Sequence, residues 1–241
     1  QVSTILLAAL LLGLAIPLAI LYVIEILNTS IRGRKDLEEN LTIPFLGEVP
    51  LHKGTSDHGI VVRENSTDPV SESMRIIRSN MSFMKVQSER MQSVMVTSSN
   101  PSAGKTFISS NLAMSLAMTD KRVILIDFDL RRRTLSKEFG QRHARKGLSS
   151  YLAGTFTELD DIIFNSNMHA NLDIIYAGPQ PPNPAEMLLS EKLDKMIAEL
   201  KKRYDYVIID AVPALMVADA QIIDRLADLT IYVVREGLLD R

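Results

Sequence analysis

The part of the sequence best suited to chemistry runs from Met95 to Phe107. It reads as a short apolar strand, a loop of small residues, and a helix that begins at Gly104. Backbone N–H groups of such a loop and of the first helical turn bind phosphate. Lys105 would reach the β- and γ-phosphates of a nucleotide, and the Thr106 hydroxyl would hold Mg²⁺. Ser99 stands where the strict phosphate-loop pattern has glycine, so an ordinary turn remains an alternative at this point. The predicted nucleotide-binding residues are Ser102, Ala103, Gly104, Lys105, Thr106 and Phe107.

Two further apolar runs end in carboxylates. The run 123–126 is followed by Asp127-Phe128-Asp129-Leu130-Arg131, and the run 206–209 is followed by Asp210. Each aspartate could be a plain turn or cap residue. Three chemically active strand endings in this order nevertheless favour one shared site, with Thr106, Asp127 and Asp210 as candidate Mg²⁺ ligands.

The elements that must position these residues are buried strands alternating with helices. Apolar runs of this kind, separated by helical patterns, are typical of a parallel sheet in an α/β fold. We expect further strands at 172–176 and 230–234, helices at 71–86 and 185–202, and a helix that opens at Asp219. Loops at the carboxyl ends of the strands would then form the site.

Composition limits the classes of function. The chain has 241 residues, 46% hydrophobic residues and a formal net charge of −2, which fits one modest domain with an additional segment. The charge balance argues against a nucleic-acid partner. Without cysteine the chain can form neither disulfides nor thiolate metal sites, and its four histidines have no ligand spacing.

The first 24 residues contain no charged side chain. A helix of about 20 such residues is roughly 30 Å long and spans a bilayer, so residues 1–28 predict a transmembrane helix. A cleaved signal peptide is disfavoured because the stretch is long and has no basic start. Arg32, Arg34 and Lys35 follow, which predicts a cytoplasmic location for the rest. We expect residues 29–70 to form a juxtamembrane segment and linker, residues 71–241 the catalytic domain, and the whole to be a fragment of a longer protein.

The predicted helix 71–86 carries Glu72, Arg75 and Arg78 on one side. Residues three apart share a helix face, and they could simply form weak ion pairs with each other in solvent. An intersubunit role is the alternative that the charge pattern alone leaves open.

With these motifs the chain resembles the bacterial tyrosine kinases that are joined to polysaccharide co-polymerases. Its most specific marks are Asp127-x-Asp129-x-Arg131 and Glu72-x-x-Arg75-x-x-Arg78. The resemblance implies a P-loop NTPase-like, doubly wound and mainly parallel sheet preceded by one transmembrane helix. It also implies a homo-oligomeric ring through Glu72, Arg75 and Arg78, and a place at the bacterial inner membrane. Polysaccharide export machinery and a tyrosine phosphatase are the further partners, and a tyrosine-rich tail would follow Arg241.

The activity implied by the resemblance is transfer of the ATP γ-phosphoryl group to tyrosines of neighbouring subunits, regulating capsule or exopolysaccharide export. The cofactors would be ATP and Mg²⁺, and no Asn-Lys-x-Asp guanine signature is present. A phenol has a pKa of about 10, so a carboxylate must orient or accept its proton near neutral pH. The candidate catalytic residues are Lys105, Asp127, Asp129 and Arg131. Which aspartate is the base and which the Mg²⁺ ligand stays open.

Two other functions are compatible with parts of this pattern. A partitioning ATPase of the same fold would carry an additional lysine five residues before Lys105, where this chain has Asn100. A membrane assembly protein that sets polysaccharide chain length could use nucleotide only to assemble. The intact Lys105, Asp127, Asp129 and Asp210 argue against such a purely structural site.

Overall fold

The structure is a computed structural model that describes residues 2–27, 31, 33–54, 58–84, 91–141, 143–215 and 219–238. The chain divides into two units. One comprises Gln1–Ile43 with Glu236–Arg241, and the other comprises Pro44–Arg235.

The first unit is helical. Its helices are α1 (Val2–Leu27), which contains Pro17, and α2 (Arg34–Asn40), in which Arg34 and Glu38 form an ion pair at 2.8 Å. Within the residues listed above, none of the helices meets the length and apolarity that crossing a membrane requires. The transmembrane helix expected over residues 1–28 is therefore not supported by the structure.

The second unit is built on a six-stranded sheet with the strand order β3-β4-β2-β5-β1-β6. Neighbouring strands are parallel except for the β3–β4 pair, which is antiparallel. The predicted mainly parallel α/β sheet is thus confirmed. The strands are β1 (Ser93–Ser98), β2 (Val123–Asp127), β3 (Phe164–Asn165), β4 (Leu172–Ile175), β5 (Tyr206–Asp210) and β6 (Leu229–Val233).

Helices lie along the chain between these strands and cover the sheet. Their bounds are α3 (Pro69–Phe83), α4 (Lys105–Ala117), α5 (Thr134–Glu138), α6 (Leu148–Leu152), α7 (Pro184–Leu188), α8 (Glu191–Arg203) and α9 (Asp219–Asp224). The prediction of a single helix over 185–202 is wrong, because the helical structure is interrupted between the end of α7 at Leu188 and the start of α8 at Glu191. Ser190 has an extended backbone and occupies the N-cap position of α8, although its side chain makes no capping hydrogen bond. The helix predicted to open at Asp219 is confirmed.

Both faces of the sheet are buried. Successive side chains of a strand point to opposite faces, so Val123 and Leu125 join one hydrophobic cluster while Ile124 and Ile126 join the other. Burial on both sides explains why these strands read as continuous apolar runs instead of alternating patterns.

Helix α3 packs against one face through Met74, Ile77 and Met81, as its predicted periodicity requires. It begins two residues before the predicted start. Asp68 accepts hydrogen bonds from the backbone N–H groups of Val70 and Ser71, both at 3.0 Å, and proline occupies the first helical position. The predicted end at residue 86 lies outside the described residues.

Candidate functional site

The predicted chemical residues converge at the carboxyl-terminal edge of the sheet. Strand β5 lies between β1 and β2, and Asp127 and Asp210 are register partners on adjacent parallel strands. The loop after β1 therefore begins beside Asp210, and Asp127 lies one strand further along the sheet. This arrangement places the residues predicted from the first three motifs in one region of the molecule.

The loop between β1 and α4 has the backbone expected for phosphate binding. Gly104 adopts a left-handed conformation (φ 97°) and is the N-cap of α4, which begins at Lys105, one residue after the predicted start. A side chain here would meet no atom within 4 Å, so the backbone conformation alone accounts for glycine. Ser102 is also left-handed (φ 60°), and its carbonyl accepts a hydrogen bond from the Arg235 guanidinium at 2.9 Å. Arg235 was not predicted from the sequence, because it lies 133 positions away.

Thr106 and Asp210 form a direct link between this loop and β5. The Thr106 hydroxyl donates to Oδ2 of Asp210 at 2.8 Å. Oδ1 of Asp210 is buried and has no hydrogen-bond partner among the described residues. The nearby Ser109 hydroxyl does not supply one, because it donates to the Thr106 carbonyl at 3.1 Å. Burial, and then the charge of Asp127, raise the pKa of Asp210 far above its usual range, and the Thr106 hydrogen bond and Lys105 only partly oppose this. An orphaned carboxylate oxygen beside a hydroxyl fits a hard cation such as Mg²⁺.

The next question is whether protein side chains alone could form a metal site. Over the described ranges, three or more His, Cys, Asp or Glu side chains nowhere come together in a group that could hold a metal ion. Mg²⁺ commonly binds one or two protein carboxylates together with substrate phosphates and water. The Thr106–Asp210 pair is of that smaller kind.

Asp127 is completely buried and held by hydrogen bonds from the following loop and from α5. Its Oδ1 accepts from the backbone N–H of Asp129 at 3.1 Å, and its Oδ2 accepts from the backbone N–H and the hydroxyl of Ser136 at 2.9 and 2.6 Å. Burial raises the pKa of Asp127, and the Ser136 hydrogen bonds oppose that rise. The Ser136 hydroxyl in turn accepts from the backbone N–H of Ala177 at 3.0 Å. Sequence reasoning missed Ser136, because a serine nine residues after an aspartate has no recognised spacing.

Asp129 is less tightly enclosed. One of its carboxylate oxygens, Oδ1, accepts from the backbone N–H of Arg132 at 2.8 Å. Burial lowers the pKa of Lys105, while the negative charges of Asp210 and Asp129 oppose that change and Arg132 adds to it. Lys105 is therefore within electrostatic reach of carboxylates from both acidic loops. The structure brings Lys105, Asp129 and Asp210 together as the sequence predicted.

Arg131 is already engaged within the chain. Its Nε and Nη2 donate to the two oxygens of Asp219 at 2.8 and 3.2 Å, and Asp219 is buried at the start of α9. This bidentate pair joins the loop after β2 to the helix that follows β5. The expected role of Arg131 in offsetting phosphate charge would require the guanidinium to share or leave this contact.

The charged residues of α3 lie outside this site. Glu72 and Arg75 form an ion pair, Arg75 also donates to the Ser66 carbonyl at 2.7 Å, and Arg78 donates to the Ser115 carbonyl at 2.6 Å. These contacts are internal to the chain, and the ring expected through Glu72, Arg75 and Arg78 stays a prediction. Residues three apart pair readily, and Arg78 is long enough to reach the end of α4.

Comparisons with known proteins agree with this geometry. A family model described as an AAA domain matches residues 91–235. The chain is 33% identical to the tyrosine-protein kinase wzc of Salmonella typhimurium, over 97% of this chain and 34% of that protein. It is 39% identical to the tyrosine-protein kinase YwqD of Bacillus subtilis, over 71% of this chain and 70% of that protein. The solved kinase domain of the Escherichia coli tyrosine kinase ETK superposes with a TM-score of 0.68 at 31% identity, covering 87% of this chain and 77% of that one. The chain thus spans about a third of wzc but most of YwqD.

Proposed function

This chain belongs to the bacterial tyrosine-protein kinases, and on that premise we propose that it transfers the γ-phosphoryl group of ATP to tyrosine residues of neighbouring subunits. The observation that carries the proposal is the meeting of Lys105, the Thr106–Asp210 pair and Asp129 at one edge of the sheet. Phosphoryl transfer is catalysed chiefly by positioning and charge stabilisation, and these residues supply both.

The phosphate-binding loop, residues 102–107, would hold the nucleotide. Its backbone N–H groups at the start of α4 would face the phosphates, and Lys105 would supply positive charge near the γ-phosphoryl group. Thr106 and Asp210 would hold Mg²⁺, with Asp127 close by on the adjacent strand. When bound, Mg²⁺ neutralises the charge that develops on the phosphate oxygens.

Asp129 is the carboxylate that we assign to the acceptor tyrosine. Both oxygens of Asp127 accept hydrogen bonds, one from the loop that follows it and one from α5, and that side chain is fully buried. A phenol with a pKa of about 10 needs a nearby carboxylate to orient its proton. Asp127 would then orient the loop that carries Asp129.

These roles can be separated by comparing Asp129→Asn with Asp127→Asn. If Asp129 serves the acceptor, its variant keeps binding of Mg²⁺ and ADP, measured by calorimetry, while tyrosine labelling is lost. A variant in which both nucleotide binding and labelling are unchanged would contradict the assignment.

Assembly into a ring through α3 is a further part of the proposal. Arg75 and Arg78 could exchange their present partners for a carboxylate of a neighbouring subunit, and head-to-tail contacts of this kind close into rings. We expect Arg75→Ala combined with Arg78→Ala to reduce the mass measured by light scattering. If the wild-type protein is oligomeric and the double variant has the same mass, Arg75 and Arg78 serve only contacts within the chain.

Attachment to the inner membrane through residues 1–28, with the kinase domain in the cytoplasm, rests on the sequence alone. The support is the uncharged stretch 1–24 and the basic residues Arg32, Arg34 and Lys35 that follow it. Release of the protein from membranes by alkaline carbonate would contradict an integral span. At the inner membrane, the expected partners of this protein are the polysaccharide export machinery and a tyrosine phosphatase.

A partitioning ATPase is disfavoured, because Asn100 stands where such an enzyme would have its additional lysine. The distinguishing product is phosphotyrosine: a hydrolase releases inorganic phosphate from ATP without labelling any tyrosine.

A further inference from the structure

A basic cleft lies at the edge of the sheet opposite Lys105. It has a volume of about 280 Å³ and is formed by the second half of α3, the end of α4 and the start of β5. Tyr206 is the first residue of β5, whereas Asp210 at the other end of that strand belongs to the nucleotide site. The cleft is therefore separate from the site described above.

Three cations line the cleft, namely Arg75, Arg78 and Lys121, and none of the described residues that line it is acidic. Arg75 already pairs with Glu72. Arg78 has no carboxylate partner in the described part of the chain; one of its nitrogens, Nη1, donates to the carbonyl and the hydroxyl of Ser115. Burial, and then the neighbouring charge of Arg75, lower the pKa of Arg78. Three like charges in a cleft that has no acid among its described lining residues are a favourable environment for an anion.

The uncharged residues that line the cleft determine which kind of anion fits it. Tyr206 brings a side-chain hydroxyl, whereas the Thr119 hydroxyl already donates to the Leu116 carbonyl at 2.7 Å. Leu116 contributes an apolar surface, and the Tyr206 ring is only half buried. A phosphomonoester carries a charge of about −1.5 to −2 near neutral pH, which matches several cations better than a single carboxylate does. An aromatic group attached to the phosphate could contact the Leu116 side chain and the Tyr206 ring.

We propose that this cleft is a binding site for phosphotyrosine, with Arg78 and Lys121 contacting the phosphate and Tyr206 the phenyl ring. The inference rests on the proposed function, because phosphotyrosine is the product of that reaction. Arginine clusters are a general means of recognising phosphorylated residues. Arg75 and Arg78 are also the residues proposed for subunit contact, so ligand binding and that contact would compete for them.

The test uses phenyl phosphate as the probe and calorimetry as the readout, with the full chain carrying Lys105→Met and saturated with ADP. These conditions remove competition at the phosphate-binding loop and make the result independent of kinase activity. We expect phenyl phosphate to bind more tightly than inorganic phosphate. Lys121→Glu should weaken binding by about tenfold or more, because it replaces a charged donor with a repelling group. Lys195→Glu, an equal charge change on an exposed residue that does not line the cleft, should leave binding unchanged.

Arg78→Lys provides a second variant, since it keeps the charge but removes the planar guanidinium. It should weaken phenyl phosphate binding while circular dichroism shows an intact fold. Equal affinity for phenyl phosphate and inorganic phosphate would overturn the phosphotyrosine assignment. Binding that is unaffected by Lys121→Glu would overturn the site itself. If the wild-type protein proves to have no kinase activity, the proposed function fails. The phenyl phosphate measurement does not depend on that activity, so its result still decides whether the cleft binds the probe.

Discussion

The Thr106 hydroxyl donates to Oδ2 of Asp210 at 2.8 Å, and Oδ1 of the same carboxylate is buried without a hydrogen-bond partner in the described residues. A buried polar atom left unpaired costs free energy, so this oxygen favours a ligand. The pair joins the helix after the phosphate-binding loop to the strand that ends in Asp210. Its geometry suits a cation that also contacts nucleotide phosphates.

We expect Asp210→Asn to weaken Mg²⁺-dependent nucleotide binding by about tenfold or more, because it removes the charge that faces the cation. Binding of ADP in the presence of a chelator should change little, and this serves as the internal control. Calorimetric titrations with and without Mg²⁺ measure both quantities. A variant that keeps the full Mg²⁺ dependence would show that the cation binds elsewhere.

Asp127→Asn should make the stability of the metal-free protein less dependent on pH. Burial raises the pKa of Asp127 above its ordinary value of 3.8, so above that pH the folded chain binds more protons than the unfolded chain. The free energy of unfolding then falls as pH rises toward and through the raised pKa. Asparagine does not titrate, so the loss between about pH 5 and about pH 8 should shrink by on the order of 1–3 kcal/mol. Urea denaturation at the two pH values measures it, and an unchanged loss would contradict the burial of an ionisable Asp127.

Ser136→Ala should lower kcat by about tenfold or more with a smaller effect on the KM for ATP, because Ser136 holds the Asp127 carboxylate and is not part of the phosphate-binding loop. Removal of its hydroxyl also leaves the Ala177 N–H without its partner, at a cost of about 1–3 kcal/mol. Ser110→Ala is the matched control, since that hydroxyl is equally buried and has no hydrogen-bond partner in the described chain. Equal kinetics for the two variants would contradict the positioning role.

Gly147→Ala is expected to destabilise the protein by about 2 kcal/mol or more. An added Cβ would lie 2.5 Å from the backbone N of Gly178 and 2.5 Å from the Tyr176 carbonyl, and backbone atoms cannot easily move aside. Gly54→Ala is the control, because there the close atoms belong to the flexible side chain of His52. Thermal denaturation of both variants measures the difference, and equal melting temperatures would show that the two loops separate readily.

The sequence predicted five of the six strands of the described sheet, all but the two-residue β3, and the location of the site, because these depend on local patterns. Apolar runs such as 123–126 are long enough to indicate buried strands, and parallel strands bring their carboxyl ends to one edge. The break before Ser190 was missed, since the apolar pattern continues across it. The Arg131–Asp219 and Ser136–Asp127 contacts depend on loop conformations. They join positions whose separation along the chain follows no periodicity.

The basic cleft shows the same limit. Arg78 and Lys121 come from different elements, and no pattern in either element indicates that they share a cavity. The charged triad on α3 was visible in the sequence, but its partners within the chain, Ser66 and Ser115, were not.

The central claim is best tested by incubating the purified protein with labelled ATP, Mg²⁺ and a tyrosine-rich acceptor, and then identifying labelled tyrosine. Lys105→Met should reduce this labelling by about a hundredfold or more, because it removes the charge nearest the transferred group. Lys195→Met, a change at an exposed lysine of α8, should leave it at the wild-type level. Phosphotyrosine that forms equally well in the Lys105→Met variant would contradict the proposed site and the function built on it.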